Sequence, residues 1–287
     1  MKNIILIASC GDVRIDTTLQ EVIGVYEAAF PEQIAGYYVQ GSYADETFVA
    51  TSDIDLNIVF RNHFTASNER EAAQLLWERY QQTNATRNTV ELDIEVVDED
   101  SLQVGVHPTL KLGSRLIYGQ DSIRNYPIMS IEAWARERMN AAHWLMIHIY
   151  ARSASVDSPL DFPDPTDEFY GYINRMVYLP DGRAVPSTRN LIRTTGWTAT
   201  ALLALQAGQY VVRKRDCHRL YRQYIGDEWS SLIEGIYTFC REEWHYLIPP
   251  GKYDRLRLRA ICERTLSFER HFLTVYSQYI SDKRPTS

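Results

Sequence analysis

Apolar positions along this chain change their period several times, and each change marks an element. Over residues 17–30, Leu19, Val22, Ile23, Val25, Tyr26 and Phe30 recur at helical spacing. They predict a helix capped by Asp16 or Thr17 and ended by Pro31. Residues 34–39 are almost continuously apolar and predict a strand leading into the turn Gly41-Ser42. Residues 43–49 predict a short helix. From Asp53 to Phe60 the period becomes two. Ile54, Leu56, Ile58 and Phe60 point to a core, and Asp53 and Asp55 share the opposite face, Cα atoms roughly 6.5 Å apart. Residues 67–82 predict a helix on Ala72, Ala73, Leu75, Leu76, Trp77 and Tyr80. After a polar connection over 84–89, period two returns over 90–97. Val90, Leu92, Ile94 and Val96 alternate there with Glu91, Asp93 and Glu95, a second strand with an acidic face. Residues 110–119 predict a further short strand or turn.

Beyond a polar boundary over 120–129 the pattern turns helical. Helices are predicted over 131–150, 195–206, 216–225, 229–246 and 253–280, with a tail from 283. Between the first two lies a loop-rich segment, 153–190, carrying Pro159, Pro163, Pro165, Pro180 and Pro186. Phe169, Tyr170, Tyr172 and Tyr178 within it are expected to anchor the loop or to line a pocket. No internal repeat is present.

Composition adds limits. The 287 residues allow one large domain or two modest ones, and 45% hydrophobic content supports a proper core. The formal net charge of −7 disfavours a general nucleic-acid binder. It is compatible with a cationic small substrate. Cys10, Cys217, Cys240 and Cys262 form no Cys-x-x-Cys and read as reduced thiols of a cytoplasmic protein. No apolar window of about 18 residues exists, so no membrane span is expected. The apolar stretch before Cys10 is shorter than the roughly 7–15 residues of an export signal.

The candidate chemistry is in the acidic strands. Two carboxylates one residue apart on one strand face repel unless a cation lies between them, and such hard oxygens suit Mg²⁺. Gly41-Ser42, ten intervening residues and then Asp53-Ile54-Asp55-Leu56 resemble the signature of the DNA polymerase β-type nucleotidyltransferase superfamily, with the spacing of the aminoglycoside adenylyltransferases. The resemblance implies that Asp53 and Asp55 bind the metal and that Gly41 and Ser42 hold nucleotide phosphate at a helix N-terminus. It also implies a third carboxylate on a neighbouring strand. Asp93 fits that place as metal ligand or general base, with Glu95 as the alternative base. The basic segment Val211-Val-Arg-Lys-Arg-Asp-Cys-His218 is similar to one in which a lysine reaches the nucleotide, and Lys214 is the matching position, with Arg213 or Arg215 as alternatives. Arg-x(4–6)-His matches at Arg138/His143, Arg213/His218 and Arg264/His271 are what chance gives with this many arginines.

The expected architecture is α/β followed by all-α: a nucleotidyltransferase core with a mixed β-sheet over residues 1–125, then a C-terminal helical, substrate-binding bundle over 126–287. The implied activity is Mg²⁺-dependent transfer of AMP from ATP to a hydroxyl of a small molecule, with an aminoglycoside as the first acceptor to try. Two alternatives stand beside it: adenylylation of a protein or RNA, and a nucleotide-binding module without catalysis.

Overall fold

The computed structural model describes residues 4–61, 63–64, 67–84, 91–152, 160–179 and 181–282. Val90, most of the predicted connection before it, residues 153–159 and the predicted tail lie outside them. The chain separates into two compact units, Met1–Ser130 and Ile131–Ser287.

The first unit begins with helix α1, Val13–Ala29. It starts four residues earlier than the apolar spacing predicts. Asp12 caps it by accepting from Arg14 N at 2.9 Å, and Val13 is 81% exposed, so the first turn carries no apolar stripe to read. Asp16, the expected cap, instead accepts from Ser9 Oγ (2.6 Å) and Cys10 N (2.8 Å) and ties down the segment before the helix.

Strands β1 (Ile34–Gln40), β2 (Ile54–Phe60), β3 (Leu92–Asp98) and β4 (Arg115–Gly119) form one sheet in the order β3-β2-β1-β4. The β1/β2 and β1/β4 pairs are antiparallel. The β2/β3 pair is parallel, with helix α3 (Ser67–Asn84) as the crossover. Helix α2, Gly41–Ala44, joins β1 to the loop before β2 and is shorter than the predicted helix. Period two in β2 has the expected consequence. Ile54, Leu56, Ile58 and Phe60 join Leu19, Val22 and Tyr26 of α1 and Trp77 of α3 in one core. Each such buried side chain contributes about 1.5–3 kcal/mol.

On the other face Tyr38 and Val59 pack against Leu102, Leu110 and Ile123. Leu102 and Leu110 belong to helices α4 (Glu99–Val104) and α5 (Pro108–Gly113), which the pattern did not predict. These helices cover the face beside Val59. The strand ends carrying Asp55 and Asp93 lie at the other end of the same strands.

The second unit is helical: α6 (Ile131–Tyr150), α7 (Arg189–Ala207), α8 (Cys217–Tyr224), α9 (Ser230–Gly235) and α10 (Lys252–Asp282), with a π-helical turn over Ile236–Glu243. Its core gathers Met139, Met146, Leu202, Tyr221, Leu258 and Phe272. The proline-rich segment is more ordered than a loop. Strands β5 (Arg175–Tyr178) and β6 (Ala184–Ser187) pair antiparallel within it, with Pro186 tolerated in this two-stranded ribbon. Phe169 and Tyr172 are buried in the helical core, whereas Tyr178 is exposed.

Among the described residues, no helix is long and apolar enough to cross a membrane.

Candidate active site

The site grows from the register of β2 and β3. In the parallel ladder Asp55 lies opposite Asp93 and Asn57 opposite Glu95. Asp53 immediately precedes β2, on the same side of the chain as Asp55. One carboxylate oxygen from each of Asp53, Asp55 and Asp93 lies within 4.8 Å of the others. Asp53 and Asp55 are partly buried and Asp93 is exposed. Glu95, one row further along β3, is exposed and is not a member of this group.

Antiparallel pairing with β1 brings the glycine–serine turn to the same place. Gln40 lies opposite Asp55, so the next residue, Gly41, meets the Asp55 carboxylate. A Cβ on Gly41 would collide with Asp55 Oδ2, and its φ of +66° is a conformation that glycine adopts without strain. The turn therefore approaches Asp55 too closely for any side chain at position 41.

The loop from Gly41 to Ser52 is held by several contacts. Asp45 N donates to Gly41 O (3.2 Å) and Thr47 N to Ser42 O (2.9 Å). Val49 N donates to Ser52 Oγ (2.9 Å). The rings of Tyr43 and Phe48 stack, with centroids 4.6 Å apart. Burial, with the Asp12 and Asp53 charges adding to it, pushes the Tyr43 phenol up to about 12. Tyr43 is thus a neutral wall of the site at ordinary pH and no base.

Three carboxylates this close repel each other. At about 4 Å a pair of unit charges costs about 1 kcal/mol in water and about 4 kcal/mol near a protein surface. A divalent ion turns this repulsion into attraction. The donor set fits Mg²⁺: hard oxygens only, and few enough to leave coordination positions for water and substrate phosphate. An edge built this way can hold a nucleoside triphosphate through a metal and remove a proton from an attacking hydroxyl.

Lys214 lies in the second unit, in the 3₁₀ turn Lys214–Asp216 ahead of α8. Two arginines of that unit had no sequence signal. Arg189 and Arg241, 5% and 8% exposed, each place their guanidinium carbon 5.2 Å from the Tyr246 ring centroid. Arg189 follows Pro186 and opens α7, and Arg241 lies in the π-helical turn, where no simple period marks them.

Comparison with known proteins agrees with this geometry. Residues 20–128 match the family described as nucleotidyltransferase domain. No curated protein matches the chain. The fold is similar to the crystal structure of spectinomycin adenyltransferase AAD(9) from Enterococcus faecialis with ATP and spectinomycin. That similarity has a TM-score of 0.50 at 10% identity and covers 88% of this chain and 98% of that one. The matched region takes in the C-terminal part of α1, the whole four-stranded sheet and all three clustered acids. Residues 20–128 are therefore a nucleotidyltransferase domain and the chain an enzyme of that activity, with a fold similar to that of an adenyltransferase.

Proposed function

We propose that this nucleotidyltransferase moves AMP from ATP to a hydroxyl of a small molecule, with an aminoglycoside as the acceptor class. The observation that carries this reading is the convergence of Asp53, Asp55 and Asp93 within 4.8 Å at a turn whose glycine abuts Asp55. The acceptor class rests on the similarity to an adenyltransferase solved with ATP and spectinomycin. The formal charge of −7 accords with a cationic acceptor.

In this reading Asp53, Asp55 and Asp93 hold Mg²⁺. When bound, the ion neutralises charge on the triphosphate and on the transferring phosphoryl group. Gly41 and Ser42 contact phosphate through backbone N–H groups and the hydroxyl, which the missing Cβ of Gly41 permits. The acceptor oxygen attacks the α-phosphorus in line. The bond from that phosphorus to the bridging oxygen breaks, and pyrophosphate leaves with the electron pair. Asp93 takes the acceptor proton, with Glu95 one row away as the alternative base. Lys214 contributes positive charge to the bound nucleotide. The helical unit, 126–287 in the sequence reading, supplies acceptor binding.

Pyrophosphate release from ATP and Mg²⁺ tests the reading, measured across a panel of aminoglycosides including spectinomycin, then proteins and RNAs. Release that depends on an aminoglycoside is the expected result. Release only with a protein or RNA would move the acceptor to the other class. No release with any acceptor would overturn the reading.

A further inference from the structure

A four-residue helix does little to hold itself in place. The carbonyls of its last turn have no partner within the helix, and their negative end seeks a donor. Arg115 of β4 supplies one. Its Nη2 donates to the carbonyl of Tyr43 at 3.2 Å. Nη1 lies 3.6 Å from Glu46 Oε1. The residue is well placed for this, because Arg115 pairs with Val39 across the β1/β4 ladder. It therefore stands beside the strand end that delivers Gly41. The Arg115 side chain is only 26% exposed. It lies beside the Cys10 thiol, which burial raises and Arg115 partly lowers in pKa.

We infer that Arg115 is a positioning residue. By binding the Tyr43 carbonyl it fixes the Gly41-Ser42 turn against Asp55, and so sets the affinity for the triphosphate without touching it. The inference rests on the nucleotide reading above. Two physical points support the carbonyl as the working contact. The Glu46 carboxylate is 76% exposed, so that ion pair is screened and weak. The Tyr43 contact is a charge-assisted hydrogen bond to a residue 3% exposed, where a missing partner is costly. Lysine keeps the charge at this position but not the planar fork, so it can restore only part of the effect.

The test uses the full-length protein with Arg115→Met, Arg115→Lys and Glu46→Gln. Two readouts are taken: hydrogen exchange along the chain, and ATP binding with Mg²⁺ by calorimetry without an acceptor. Arg115→Met is expected to speed exchange over residues 41–49 and to weaken ATP by about tenfold, the worth of one charge-assisted hydrogen bond. Exchange in the centres of β1 and β2 stays as in wild type. Arg115→Lys falls between the two and carries the same comparison if Arg115→Met does not fold. Glu46→Gln stays within about twofold of wild type. Wild-type ATP affinity in both Arg115 variants would overturn the inference alone. So would exchange that rises evenly across the whole unit, the sign of a merely structural residue. A wild-type chain that binds no ATP would overturn the nucleotide reading and this inference together.

Discussion

Each unit places carboxylates where they are costly, and the two solve the problem differently. At the edge of the sheet, Asp53, Asp55 and Asp93 are brought together half in solvent, within 4.8 Å. In the helical unit Glu269 of α10 is 2% exposed and is answered from within the chain. Arg152 Nη2 donates to Glu269 Oε2 at 2.5 Å, and the Tyr172 hydroxyl donates to the same oxygen at 3.2 Å. Arg152 Nη1 also donates to the carbonyl of Asp161, so one guanidinium ties the proline-rich segment to α6 and α10. Glu269 Oε1 and Arg152 Nε have no hydrogen-bond partner among the described residues. Burial raises the Glu269 carboxyl to about 7, while Arg152 and Tyr172 pull it back. A carboxylate that serves folding is buried, given one counter-charge and tied to several elements. The sheet-edge carboxylates are instead left accessible and gathered with others of like sign.

This contrast can be broken by exchanging which property each variant loses. Asp55→Asn should reduce pyrophosphate release on the order of 10²–10³-fold, the scale seen when one electrostatic stabiliser is removed. Its thermal midpoint should stay level or rise, because a repelling charge has gone. A large drop in the midpoint would place Asp55 with Glu269 as a structural group. Arg152→Met should do the reverse. Removing one partner of a buried pair costs about 3–5 kcal/mol. Denaturant unfolding should show that loss, while Mg²⁺ binding to the folded protein is unchanged. Gly41→Ala should lower transfer by about tenfold and stability by about 1–3 kcal/mol, because it adds strain at φ +66° and a collision with Asp55. Wild-type kinetics in Gly41→Ala would show that the turn and the acid are not fitted as described.

The smallest effect concerns pH. The folded-state pKa of Glu269 is raised, so the native state holds that proton more tightly than the unfolded chain. Its contribution is fully present below the unfolded carboxylate range, near 4.5, and is lost as pH rises through about 7. Unfolding free energy should therefore fall across that window, and Glu269→Gln should flatten the fall. A slope unchanged in Glu269→Gln would remove Glu269 as its source.

Much of the site was legible because it lies on strands. Alternation alone put Asp53 and Asp55 on one face and Asp93 and Glu95 on another. The parallel register then joined Asp55 to Asp93 and left Glu95 one row away, a distinction that strand period cannot supply. What was not legible is mostly short or cooperative. Helices α4 and α5 have six residues each, too few for a period to show. The start of α1 was missed because Val13 is exposed and the cap, Asp12, precedes any apolar stripe. Strand β6 contains Pro186, which reads as loop in sequence. Arg115 and Arg152 act on backbone carbonyls and side chains distant in sequence, and no local pattern points to such partners.

On the proposed reading, three carboxylates at the sheet edge hold a divalent ion together with the nucleotide. Titration of Mn²⁺ in the presence of ATP, followed by electron paramagnetic resonance, tests it most directly. Wild-type protein should convert free Mn²⁺–ATP into a protein-bound species, and Asp53→Asn and Asp55→Asn should each abolish that conversion while remaining folded. Equal conversion in wild type and both variants would contradict the account.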